Sequence, residues 1–247
     1  MQRLQSAPNM NADRQKALVE MFSQVGCQPT EQPIKRSKDA NVICVLKGET
    51  EDEIVVGGHL DHVEYGDGII DDWSGASLLP TLYESLKSGM RHHTIVFVAF
   101  NKEEIGLVGS ASYVKQLSPA EKSHVKAMVN LECLGLTKTK VWLSHSDKPL
   151  LAALAAVAKA MKLEVEGVNV EKVGTADSES FAAAGIPRIT LHTVTQDTLH
   201  LLHSRNDNMK AIHPDDYYEN YRLVAGYLAA LDMLLEAPKE QEKQAGK

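Results

Sequence analysis

Short apolar runs alternating with longer helix-patterned segments constrain this chain more than any other feature. The runs NVICVLKG (41–48), EIVVGGHL (53–60), TIVFVAF (94–100), AMVNLE (127–132), KVWLS (140–144) and RITLH (188–192) have strand length and are rich in β-branched residues. Helical patterns fall at 12–25, 75–88, 107–117, 148–162, 177–184 and 215–236, with LLAALAAVAKAMK the clearest. Pro80, inside the second, predicts a late start or a kink there. Strands interleaved with helices in this way predict an α/β fold: one three-layer domain, a mostly parallel mixed sheet with helices on both faces.

Length agrees with that reading, since 247 residues can bury one substantial core. We therefore expect a single domain over 1–247, with its core at about 10–236 and a frayed charged tail at 237–247 within EAPKEQEKQAGK. A hydrophobic content of 43% with 24% charged residues is ordinary for a globular protein and far from the disordered regime. The net charge of −7 disfavours nucleic acid or an anionic membrane surface as partner. Peptides or small molecules fit better. No stretch approaches the ~20 apolar residues of a membrane span, and the opening MQRLQSAPNMNADRQ lacks the apolar centre of a signal peptide. Neither fact decides the compartment. Cys27, Cys44 and Cys133 cannot all pair with one another and none sits in a CxxC spacing, so we read them as core thiols.

The ionisable residues occupy telling positions on this scaffold. His59 closes IVVGG, Glu103 and Glu104 follow TIVFVAFN, Glu132 ends AMVNL, and His203 lies beyond RITLHT. Open α/β sheets assemble their sites in the crevice outside the strand ends. Asp71 and Asp72 precede a helix, where carboxylates are favoured by its dipole. Taken singly, each has an ordinary explanation: a surface histidine, a helix cap, a solvated acid pair. Those explanations leave unaccounted why apolar strands repeatedly end in potential metal ligands, with like charges adjacent unless a cation neutralises them. Histidine and carboxylate ligation without cysteine suits Zn²⁺, with Mn²⁺ or Co²⁺ less well matched. Five groups exceed one tetrahedral ion, but with Asp71 bridging they supply three ligands to each of two. Asp61, two residues after His59, shares its face and is expected to hold the second imidazole nitrogen.

GGHLDH, IIDDWSGAS, NKEEIGLVGSASY, VNLE, TADSESFAAAGIP and HSRND, in that order, resemble the motifs of the M28 zinc peptidases, the group that contains bacterial leucyl aminopeptidases. The resemblance runs from about residue 10 to about 235. It implies a zinc-dependent exopeptidase fold and two Zn²⁺ per chain, one held by Glu104 and His203, the other by His59 and Glu132, with Asp71 bridging. It further implies Glu103 as general base, working on water acidified to a pKa of ~7 between the ions. The implied substrates are peptides with a free N-terminus. Asp207, four residues after His203, would orient its loop, unless it is simply a turn residue.

Departures limit what carries over. His62 stands where a Ser is common, Ser178 where a His is common, and Ile186 where some members carry an oxyanion-stabilising Tyr. His192 and His200 are candidates for the missing donor, though each also reads as structural or exposed. Cys133, beside a ligand, is expected to be buried packing. Two rivals are a single-zinc glutaminyl cyclase and a non-catalytic binding module on the same scaffold. DDWSG and the compact EEIGLVGS argue against the first, and retention of all six ligand and base residues argues against the second.

Overall fold

Burial on both faces explains why the central strands are apolar at nearly every position. In the computed structural model, which describes residues 1–170 and 174–235, eight strands form one sheet. The chain runs α1 (Gln2–Gln5), α2 (Asn11–Gln24), β1 (Thr30–Pro33), β2 (Ala40–Leu46), β3 (Glu53–His59), α3 (Ser74–Ala76) and α4 (Leu79–Leu86). It continues through β4 (Thr94–Phe100), α5 (Val108–Gln116), α6 (Pro119–His124), β5 (Val125–Glu132), β6 (Lys140–Val141) and α7 (Lys148–Met161). Last come β7 (Glu166–Gly167), α8 (Ser178–Ala182), β8 (Arg188–His192) and α9 (Pro214–Leu234). The strand order is β1-β2-β4-β3-β5-β8-β6-β7. The inner four, β4, β3, β5 and β8, are mutually parallel, while β1, β2 and β6 join antiparallel.

Period-two geometry divides each inner strand between two cores. Ile54, Val56, Ile95, Phe97, Val129 and Ile189 pack with residues of α2, α4, α7 and α9. Val55, Val96, Val98, Phe100 and Met128 face the other way, against Tyr113 of α5 and Phe181 of α8. The three-layer α/β architecture follows. On the second face Phe100, Tyr113 and Phe181 form an aromatic cluster with centroids about 6 Å apart.

Two expectations need correction. Cys27 and Cys44 are not free thiols; they form a disulfide, Cα to Cα 6.3 Å, and Cys133 alone is a buried thiol. The pair lies 17 residues apart, with one half just beyond α2 and the other on β2, a proximity that only the tertiary fold creates. The run 140–144 is a two-residue strand because the chain turns at once: His145 N–H bonds to the Trp142 carbonyl, closing a tight turn over Leu143–His145. Pro80 sits in the first turn of α4, so that helix starts late, as a ring without an N–H requires. The tail expected to fray lies outside the described residues.

Candidate active site

The parallel strands end on one edge, and their last residues carry the chemistry. β3 terminates at His59, level with Phe100 at the end of β4, and β5 terminates at Glu132, level with His192 at the end of β8. After Phe100 the chain passes through Lys102 in a left-handed conformation (φ 64°) and presents Glu103 and Glu104. Asp71 and Asp72 lie in the turn Ile69–Trp73 before α3, and His203 lies in the loop between β8 and α9.

Asp71 is central. Its Oδ1 is 3.1 Å from His59 Nε2 and its Oδ2 is 3.1 Å from His203 Nε2. His203 Nε2 is also 3.0 Å from Glu104 Oε2, and His59 Nε2 is 3.4 Å from Glu132 Oε1 and 4.0 Å from Glu103 Oε2. The structure thus brings all five expected ligands and Glu103 together. The donor set fits divalent cations. His59, Asp71 and Glu104 offer ligand atoms all within 4.8 Å of one another, as do His59, Asp72 and Glu132. The buried Glu104 Oε1 accepts no hydrogen bond from the described residues.

Burial first, and then the neighbouring charges, shift the protonation of several of these groups. Burial, together with the charges of Glu132, Asp177 and Asp71, pushes Glu103 up to about 9 against the attraction of His59. Burial likewise raises Glu132. Burial opposes charging the His59 ring, yet its hydrogen bond to Asp71 and the charges of Glu103 and Glu132 outweigh it and hold the imidazole well above its ordinary value. Hydrogen bonds to Asp71 and Glu104 raise His203 to about 10. Burial disfavours the Asp71 carboxylate, but His203 and His59 hold it well below the usual range.

Asp61 supports the site differently from expectation. His59 Nδ1 meets the Asp61 carbonyl at 3.0 Å, while the carboxylate stays 3.8 Å away. That carboxylate accepts the Glu103 and Glu104 amides instead, at 3.0 and 3.3 Å. One residue therefore orients the His59 ring through its backbone and the acid pair through its side chain. Asp207 accepts the Ile70 and Asp71 amides at 2.6 and 3.3 Å, so it ties the His203 loop to the Asp71 turn.

Asp72, marked in the sequence only as an acid preceding a helix, is fully buried and ties the strand ends together. Its Oδ2 accepts the His59 amide at 3.2 Å, and its Oδ1 accepts the Gly75 and Cys133 amides at 3.1 and 2.9 Å. A Cβ at Gly75 would lie 2.5 Å from Asp72 Oδ2, so only glycine leaves this carboxylate its place. The DDxSG spacing contains this information, but only the fold shows which acid turns inward.

The candidates for an oxyanion donor do not survive. His192 is buried beside the site, but its Nε2 donates to the Val168 carbonyl at 3.0 Å and its Nδ1 accepts the Val194 amide at 3.2 Å. Burial lowers it to about 4, so it is a neutral ring with its single N–H already used. His200 is exposed and Ile186 is buried in the second core. Ser178 shares a hydrogen bond with Thr190, and His62 ties its strand-end loop to Asn9 and Asn11. Cys133 is buried, as expected, with its thiol pushed well up by burial.

A cavity of about 290 Å³ opens beside these residues, with Asp71, Glu103, Glu104 and Glu132 on one side and Trp142, Val170, Val194 and Leu202 on the other. A second cavity, about 510 Å³, meets it at Glu104 and His203 and runs past Asp61, Lys102 and the exposed Tyr65 and Ile105.

Residues 41–228 match the profile of Peptidase family M28. The chain belongs to that family. An aminopeptidase from Pseudomonas aeruginosa is 34% identical over 102 residues, which are 41% of this chain and 19% of that protein. The zinc aminopeptidase from Bacillus subtilis superposes with a TM-score of 0.72 at 24% identity, covering 81% of this chain and 52% of that one. The glutaminyl cyclase of Porphyromonas gingivalis superposes at 0.69 and 19% identity, covering 87% and 88%. The last two similarities show the fold. The M28 chain described here spans about a fifth of the curated Pseudomonas relative and about half of the Bacillus enzyme.

Proposed function

We propose that this M28 chain is a zinc-dependent aminopeptidase that holds two ions and releases N-terminal residues from peptides. The observation that carries the reading is Asp71, whose two oxygens each face a different imidazole, at 3.1 Å in both cases. Glu104 and His203 would hold one ion, His59 and Glu132 the other, and Asp71 both. When bound, the ions supply Lewis acidity and lower the pKa of water to ~7, making a nucleophile available at neutral pH.

The side chains do the rest. Glu103, beside but not inside the ligand set, takes the proton released in the attack on the scissile carbonyl and returns it to the leaving amine. Asp61 fixes Glu103 by its amide, so the carboxylate is aimed before substrate arrives. The cavity walled by Trp142, Val170, Val194 and Leu202 has room for one apolar side chain, while its acid side favours a substrate α-ammonium group. The second cavity gives the remaining peptide a path to the surface.

The test joins metal analysis to a substrate pair. Zinc-equilibrated protein should contain two ions per chain and cleave leucyl-p-nitroanilide but not its N-acetyl derivative. One ion per chain with His59 and Glu132 dispensable, and glutaminyl peptides cyclised, would turn the assignment to the cyclase. Efficient cleavage of the acetylated compound would refute the exopeptidase reading, and no turnover of any of these would leave a binding module.

A further inference from the structure

The amino-terminal helix reaches the back of the site through one side chain. Arg14 of α2 is fully buried, 0% exposed. Its Nε donates to the Pro8 carbonyl at 2.9 Å, Nη1 to the Leu60 and Gly68 carbonyls at 3.3 and 3.1 Å, and Nη2 to the Asp67 carbonyl. The guanidinium lies over the Trp73 ring, 5.2 Å from its centroid. Its hydrogen bonds all go to carbonyls, while the carboxylates of Asp207, Asp61, Asp72 and Asp67 offset its charge through space, so the fork is free to hold backbone instead of pairing with one acid.

The identity of those carbonyls shows what the fork holds. Leu60 adjoins His59, and Asp67 and Gly68 open the turn that carries Asp71. Arg14 therefore grips both ligand-bearing segments at once. From the opposite side Asp207 accepts the Ile70 and Asp71 amides, so the turn is held at its carbonyls by a cation and at its amides by an anion. The packing is close: a Cβ on Gly68, whose φ is 54°, would lie 3.1 Å from Arg14 Nη2 and 2.4 Å from the His62 Cβ. A planar fork of five donors can serve carbonyls from several segments, which an ammonium cannot.

We propose that Arg14 is a positioning residue of the metal centre, setting the spacing between the His59 segment and the Asp71 turn so that both reach the same ions. The inference rests on the metal-centre reading above and concerns a residue outside the 41–228 family match.

Three variants test it: Arg14→Met, Arg14→Lys and, as a control on the same helix, Leu18→Ala, a fully buried core residue. Zinc affinity is measured by competition with a chromophoric chelator, coordination by the visible absorption of the Co²⁺-loaded protein, and grip on the turn by amide exchange of residues 67–72 in zinc-free protein. Arg14→Met should lose about 10–100-fold in zinc affinity, the usual effect of removing an outer partner of a ligand. Its Co²⁺ spectrum should shift and the Ile70 and Asp71 amides should exchange faster. Arg14→Lys should recover only part. Leu18→Ala should lower the thermal midpoint while leaving affinity, spectrum and exchange at the turn unchanged. Wild-type affinity and exchange in Arg14→Met, or an equal loss in Leu18→Ala, would overturn the proposal. Should Arg14→Met fail to fold, Arg14→Lys decides: behaviour identical to wild type in all three readouts rejects it. If the wild-type chain bound no zinc, the metal-centre reading would fall by itself. The exchange contrast would still accept or reject the grip of Arg14 on the turn.

Discussion

Glu103 and Glu104 are adjacent in sequence and held by the same Asp61 carboxylate, yet their side chains meet different partners. Glu104 Oε2 lies 3.0 Å from His203, whereas Glu103 Oε2 stands 4.0 Å from His59. Glu103→Ala should therefore keep bound zinc while kcat falls by about 10²–10⁴, the usual worth of a general acid or base. Glu104→Ala should weaken zinc binding. Metal content and steady-state rates of the two variants separate them, and the reverse pattern would exchange their roles. His203 supports a further prediction. Its pKa is raised to about 10 by Asp71 and Glu104, so in zinc-free protein at neutral pH the ring is an imidazolium. Zinc takes the neutral ring, so binding expels that proton, and apparent affinity should rise by up to about tenfold per pH unit per proton displaced, levelling as pH passes about 10. A pH indicator in weak buffer at pH 7 should register at least one proton released per chain on loading. No release would contradict the pairing seen here.

At the scale of elements, the disulfide between the end of α2 and β2 makes the sharpest prediction. Unfolded without reductant, the protein should titrate one thiol, Cys133, and after reduction three. Closing a loop of 17 residues constrains the unfolded chain by ~3 kcal/mol in the chain-entropy account, so Cys44→Ser should lower stability by about that much. Three titratable thiols in the unreduced chain would show the pair open. No spacing rule identified this bridge, because an odd number of cysteines with none in CxxC gives no pairing by itself. Other elements were plainly written: 94–100 and 188–192 are strands residue for residue, since both are interior strands buried at nearly every position. Thr30–Pro33 was not legible; it is a mostly exposed edge strand without an apolar pattern. α6 was legible and overlooked, for Ser118 and Glu121 form a reciprocal capping box around Pro119. In the site, acids and imidazoles at strand ends could be read from position. The roles of Arg14 and Asp72 could not, since they act on backbone carbonyls and amides whose proximity arises only on folding.

The whole molecule would be involved in the proposed metal centre, because its ligands span residues 59 to 203 and come from the ends of β3 and β5, the segment after β4, the Asp71 turn and the loop after β8. An unfolded chain cannot present that set together, so zinc should bind the native state selectively and stabilise it by mass action. With free zinc at about 100 times Kd the gain is about 2.7 kcal/mol per independent site. In a protein of this size each kcal/mol moves the thermal midpoint by roughly 2–4 °C. Chelation should therefore lower Tm by about 5–10 °C or more, in proportion to the logarithm of zinc concentration. The variants sharpen the expectation. Glu103→Ala, which leaves the ligands intact, should keep the full zinc-dependent shift, while Glu104→Ala, which removes one, should lose part of it even if its zinc-free midpoint is unchanged. Calorimetry of zinc-loaded and chelated samples reads both quantities. If zinc leaves Tm unmoved in the wild type, the convergence of these five residues reflects packing of the sheet edge and the two-ion reading is wrong. If Glu103→Ala loses the shift and Glu104→Ala retains it, the ions are held by a different set from the one assigned here.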